Sequence, residues 1–278
     1  MPVTPGADQL NLEAADAYCR FLTGRHYENF SVASSFVDAE KRRDLARIYA
    51  FCRSTDDLGD ESPSEAVALA RLARWQDETA AMLVGTLPNH PVLLALRQTV
   101  VQRQMPPAPF LDLIQANVVD QTVKSYAAWD DLIGYCRLSA APVGRMVLRV
   151  FGLSGETLEN LSDDVCIGLQ LANHAQDVSR DARAGRRYLV DSDVARGGTD
   201  GAVRAMVERA RTLLESGKAL EKHAPLALRL QLALYRLGGL AICRSIEAVG
   251  YKTESTRPQV STATKVSLVL RAALEGLA

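Results

Sequence analysis

The sequence is poor in the patterns that mark most other protein classes. Aromatic residues make up only 6% of its 278 positions, and no run alternates apolar and polar residues as a half-buried strand does. The five cysteines, Cys19, Cys52, Cys136, Cys166 and Cys243, are scattered with no C-x-x-C pair. That argues against a disulfide framework or a zinc knuckle and favours a reduced, cytoplasmic setting. Neither sign of charge prevails: 32 basic and 33 acidic residues leave a net −1. The basic footprint of a nucleic-acid binder is missing, so no nucleic-acid partner is expected. Met1 to Asn11 lack the basic start and apolar run of a signal peptide. The most apolar late stretch, Leu226 to Cys243, is interrupted by Arg229 and Arg236 and reads as a core helix, not a membrane span. Gly197-Gly-Thr-Asp-Gly201 neither follows a strand nor has the spacing of a phosphate loop or dinucleotide fingerprint. No G-x-S-x-G or Cys–His arrangement offers a nucleophile.

What is present is helix. Ala, Leu, Val and Arg dominate a composition that is 47% apolar, enough for a sizeable core. Pro and Gly punctuate the chain at Pro63, 88–91, 106–109, 152–155, 197–201 and Gly250. Between them the apolar spacing predicts helices near 11–23, 39–60, 64–84, 90–103, 108–123, 129–150, 156–182, 201–221, 225–249 and 262–276. Ser64 suits an N-cap and Pro225 a first turn. The expected class is all-α, a single domain over 1–278 with residues 1–10 as a flexible start.

Two constellations carry chemistry. In the first, Leu45, Tyr49, Cys52, Asp56 and Asp60 are spaced four, three, four and four, one stripe of a helix. An apolar stripe thus runs into two carboxylates, which need a counter-charge if buried; a hard divalent cation is the natural one. Asp57 and Glu61 point off the stripe, and a solvated acidic helix end is the plain alternative. In the second, Gln170, Asn173, Asp177 and Asp181 are spaced three, four and four. All bear oxygen, as magnesium prefers, although Asp177 pairing with Arg180 or Arg183 would describe an ordinary polar face. Arg183, Arg186, Arg187 and Tyr188 follow, and Arg53 precedes Asp57 by one turn. Guanidinium and phenol donors of this kind suit diphosphate oxygens, or simply favour a helix end. Two such helices facing one another across a cavity would form a diphosphate-binding mouth, and the chemistry would be metal-assisted departure of a leaving group.

At these residues the sequence resembles the squalene/phytoene synthase family. Tyr49-Ala-Phe-Cys-Arg-Ser-Thr-Asp-Asp-Leu-Gly-Asp60 matches its first aspartate motif. Gln170 to Leu189 matches the second, with the trailing Gly-Arg-x-Tyr-Leu; the proline that usually follows is Val190 here. The likeness runs from about Tyr18 to Ala278. His26-Tyr-Glu-Asn-Phe30 and Tyr135-Cys-Arg-Leu-Ser-Ala-Ala-Pro-Val-Gly-Arg145 narrow it to the hydroxysqualene synthase branch of the hopanoid pathway, where Pro142 breaks a helical ladder and Gly144 permits close approach.

The resemblance implies a class I terpenoid synthase fold with a central cavity. It implies magnesium, on the order of two or three ions, on Asp56, Asp60, Asn173, Asp177 and Asp181. His26, Phe30, Arg53, Gln170, Arg186, Tyr188 and Tyr251 would face the substrate. Tyr49 and Tyr135, with Phe51 and Tyr251, would offer aromatic faces to a carbocation. It further implies an isoprenoid diphosphate substrate, capture of the presqualene cation by water without NADPH, peripheral membrane contact and other enzymes of the squalene pathway as partners. Two readings compete: a head-to-head squalene or phytoene synthase, and a non-catalytic protein that keeps the fold as an assembly factor or lipid-binding scaffold.

Overall fold

The computed structural model describes residues 7–24 and 37–277, by backbone alone at 7–11 and 277. His26 and Phe30 therefore lie outside the described residues. Thirteen helices are described: α1 (Ala7–Gly24), α2 (Ala39–Asp60), α3 (Glu65–Leu83), α4 (Pro91–Gln102), α5 (Ala108–Thr122), α6 (Trp129–Ser139), α7 (Ala141–Val150), α8 (Glu156–Gln176), α9 (Val178–Arg183), α10 (Asp191–Ser216), α11 (Lys218–Glu221), α12 (Leu226–Ala248) and α13 (Thr262–Leu277). The protein is all-α, and no strand occurs among the described residues beyond an isolated parallel bridge, Tyr126 to Val190.

Capping explains several starts. The Asp38 carboxylate accepts from the Lys41 amide at 2.8 Å and opens α2. Ser64 accepts from the Val67 amide at 3.4 Å and opens α3, as its type predicts. His90 caps α4 through Nδ1, which accepts from the Val92 amide at 3.3 Å ahead of the first-turn Pro91.

Several helix boundaries differ from the sequence expectation, among them the break at Gly217 that divides 201–221 between α10 and α11. The stretch 129–150 is two helices, because the first ends at Ala140 and Pro142 sits in the first turn of α7, where its missing N–H is no loss. The stretch 156–182 is interrupted at Asp177 (φ −99°, ψ 14°). The ladder is picked up again by the Asp181 N–H donating to the Asp177 carbonyl at 2.9 Å. The Gly-rich stretch 197–201, expected as a break, is helical on both sides. Only Gly198 (φ 67°, ψ −173°) leaves the helical region, a conformation that glycine tolerates.

The chain divides into two compact units, residues 1–122 with 146–153, and residues 123–145 with 154–278. In the first, α2 packs against α1, α3, α4 and α5. Phe51 is fully buried there, stacked on Trp75 and edge-on to Phe110 at centroid distances of 5.7 and 5.4 Å. A buried network joins α1, α2 and α4: Arg47 donates twice to Asp16 (2.7 and 2.8 Å), and Thr99 donates to Asp44 at 2.7 Å. Such groups are tolerable inside because each is paired.

In the second unit α8 packs against α10 and α12, and α12 against α13. Arg236, in the middle of α12, is buried against Glu221 and Glu275, both at 2.6 Å. Among the described residues α12 is the single helix long and apolar enough to cross a membrane, and half of its most apolar window is buried. Its packing and its central ion pair give it the role of a core helix.

Candidate active site

The first carboxylate set lies at the end of α2. The fully buried line of that helix is Asp44, Ile48, Phe51, Thr55 and Gly59. The predicted line is its neighbour, one residue round the helix: Leu45, Tyr49, Cys52 and Asp56 are half-buried and Asp60 is exposed. The motif therefore follows the rim of the core instead of its centre, a position that keeps it within reach of a ligand. Burial pushes the Asp56 carboxyl up to about 6, with repulsion from Asp60 and Asp57 adding to it and the amide of Asn117 and Arg53 opposing it. Asn117 donates to Asp56 at 3.2 Å. Burial chiefly also raises the Tyr49 phenol. Arg53 turns from the pair, bridging Asp57 at 2.6 Å and Glu61 at 3.4 Å.

The second set lies where α8 meets α9. Gln170, Asp177 and Asp181 are half-buried and Asn173 is exposed, again along a flank. Gln170 exchanges hydrogen bonds with the Ser139 hydroxyl (2.8 and 3.0 Å), fixing its amide against α6. Asp177 has a partner the sequence reading missed: not Arg180 or Arg183 but Arg257, eighty residues on, which forks onto both carboxylate oxygens and reaches Gln176 at 3.1 Å. Gln176 in turn donates to the Pro258 carbonyl at 2.7 Å. Nothing local in the sequence links Arg257 to the motif, because the pairing is made by the linker after α12.

Asp181 shares a pocket of about 310 Å³ with Arg186, Arg187, Tyr188, His174 and Glu254. His174 stacks on Tyr188 (3.8 Å, 18°), with Nδ1 3.9 Å from Asp181. Tyr188 continues into Tyr135 (5.7 Å) and Tyr126 (6.0 Å), so two of the predicted aromatics are gathered with two unpredicted ones. Tyr126 arrives because Arg187 and Asp191 donate to the carbonyls of Lys124 and Tyr126, both at 2.9 Å. Two predicted aromatic faces are occupied otherwise. Phe51 is core, and the Tyr251 ring carries the Arg204 guanidinium at 4.8 Å.

The first set sits against its helix dipole. Asp56, Asp57, Asp60 and Glu61 crowd the C-terminal end of α2, which has no basic residue in its last turn; carboxylates are disfavoured there, and a raised Asp56 adds to the cost. In the second set Asp177 both ends α8 and opens α9, whose first turn holds Asp181. Such an arrangement calls for cations, and the donors, carboxylates with a carboxamide, are the hard oxygens that magnesium takes. Arg257 supplies one cation to Asp177. No three His, Cys, Asp or Glu side chains form a ready-made metal cage among the described residues.

An all-helical scaffold bearing acid-rich helix ends is the isoprenoid-synthase type, and comparison with known proteins bears this out. Residues 23–264 match the squalene/phytoene synthase family model, and the chain belongs to that family. It is similar to a crystal structure of squalene synthase HpnC from Alicyclobacillus acidocaldarius (40% identity, TM-score 0.81, covering 87% of this chain and 96% of that one). It is 38% identical to the hydroxysqualene synthase of Rhodopseudomonas palustris over 60% of this chain, the match spanning 56% of the relative. It is 29% identical to the chloroplastic phytoene synthase of Narcissus pseudonarcissus over 93% of this chain and 66% of that one.

Proposed function

We propose that the protein is a magnesium-dependent terpenoid synthase, a carbon–oxygen lyase that converts presqualene diphosphate and water to hydroxysqualene and pyrophosphate. The observation that carries this reading is the crowding of acids at the C-terminal end of α2, where the helix dipole opposes negative charge and burial raises Asp56, beside a second oxygen-rich set at the junction of α8 and α9. It is supported by the likeness to proteins named hydroxysqualene synthase at 37–38% identity and to the HpnC structure. Asp56 and Asp60, and Asn173, Asp177 and Asp181, are the residues that would hold magnesium. When bound, the ion neutralises charge developing on the departing diphosphate.

The chain's own groups do the rest. Asn117 and Ser139 orient Asp56 and Gln170. Arg186 and Tyr188 donate to diphosphate oxygens, and Arg257 holds Asp177 in a fixed rotamer until substrate arrives. The carbon–oxygen bond breaks with its electron pair leaving on the diphosphate. The ring faces of Tyr135, Tyr188 and Tyr126 stabilise the cation left behind. A water oxygen then forms the new carbon–oxygen bond and releases one proton.

The test is incubation with presqualene diphosphate and with farnesyl diphosphate, with and without NADPH, in heavy-oxygen water, followed by lipid analysis. The expected result is labelled hydroxysqualene, magnesium-dependent and indifferent to NADPH. Squalene or phytoene from simple prenyl diphosphates, with no alcohol, would assign the chain to head-to-head synthesis. Absence of any pyrophosphate release would leave a scaffold.

A further inference from the structure

The last helix of the second unit carries an apolar face that no described residue covers. Leu268 and Ala272 of α13 are buried against Ala233, Leu237 and Ala241 of α12. On another side of the same helix Val266, Leu270 and Leu274 are exposed by 58, 63 and 73%. They are four residues apart, so they form one stripe along two turns. Leu226, 44% exposed, opens α12, whose first turns run beside the end of α13, since Arg229 donates to the Gly276 carbonyl. Other exposed aliphatics, such as Val84, Leu87 and Val101, do not share one helix face. A contiguous stripe is the kind of exposed patch that calls for a partner.

The charges around it indicate which partner. Across 218–229 and 262–277, Lys218, Lys222, Arg229, Lys265 and Arg271 stand against Glu221 and Glu275 alone, in a chain whose net charge is −1. Glu221 is buried and already answered by Arg236, which leaves Glu275 as the one acid of this end beside Lys218 and Arg271. A second copy docking face to face would oppose these basic residues to themselves. An anionic surface complements them, and an apolar stripe flanked by lysine and arginine is how a helix lies in a bilayer interface.

We infer that α13 docks the protein on the surface of an anionic lipid bilayer, with Val266, Leu270 and Leu274 entering the acyl boundary and the flanking lysines and arginines meeting the headgroups. This stands whichever isoprenoid the site takes.

The experiment is flotation of the full chain with phosphatidylcholine vesicles, with and without phosphatidylglycerol. Wild type should float with the anionic vesicles, and less with neutral ones or in high salt. Leu270→Glu/Leu274→Glu, checked for native helicity by circular dichroism, should lower partitioning by at least about tenfold. Lys218→Gln/Lys222→Gln/Lys265→Gln leaves the stripe intact and should lose the preference for anionic lipid. Failure of wild type to float, or undiminished flotation of the leucine variant, overturns the inference. So does a wild-type dimer in solution that the leucine variant dissociates.

Discussion

At the scale of single residues the most informative group is Asp56. Its carboxyl is pushed up to about 6, mainly by burial, above the ordinary value of about 3.9. Ionised Asp56 therefore costs the native state stability. The cost is absent below pH about 4, grows between about 4 and 6, and is complete above that. Asp56→Asn removes it. In metal-free buffer at neutral pH the variant should melt above wild type, with the gap closing as pH falls toward 4. Equal melting temperatures across that range would show that the carboxylate is not strained. If Asp56 holds magnesium as proposed, the same substitution weakens that ligand, and turnover should fall by about a hundredfold or more while the fold persists. A more stable, nearly inactive enzyme is the signature of a residue kept for chemistry.

At the scale of elements, the sequence was most legible where apolar spacing or a cap decides a helix, as in α2, α3 and α12. It was least legible where a helix stops for local reasons. Asp177 carries no breaker, so the end of α8 had no sign, whereas the end of α6 was signalled by Pro142; Gly197–Gly201 carried three glycines of which only Gly198 departs from helix. The site divides along the same line. The grouping of Asp56 with Asp60 and of Asp177 with Asp181 follows from spacing, whereas Arg257 and Tyr126 reach their neighbours through tertiary contacts that no local pattern encodes. Gly144 was readable as a close approach. A Cβ there would come within 2.4 Å of the Ser162 hydroxyl and 2.6 Å of the Cys166 sulfur, both on α8. Gly144→Ala should therefore destabilise the protein by about 1–3 kcal/mol through overpacking, measurable by urea unfolding. Arg257 ties the linker between α12 and α13 to the end of α8. With Arg257→Gln, amide exchange over 252–261 should accelerate while the interiors of α8 and α12 stay protected. Unchanged exchange would mean that the Gln176–Pro258 bond suffices.

At the scale of the whole molecule, the two tryptophans fall one to each unit. Trp75 is 5% exposed, donates to the Thr55 hydroxyl at 2.9 Å and lies among Phe51 and His90. Trp129 is half-buried, donates to Asp193 at 2.8 Å and carries the Arg209 guanidinium at 4.2 Å over its ring. Their surroundings differ: Trp75 is buried among aromatic rings, whereas Trp129 is half-exposed beside charged groups. The protein thus contains a built-in pair of optical reporters, one emitting toward the blue and the other toward the red. Replacing either with phenylalanine leaves fluorescence that follows one unit alone, so the denaturation of each half can be timed separately without attaching a dye.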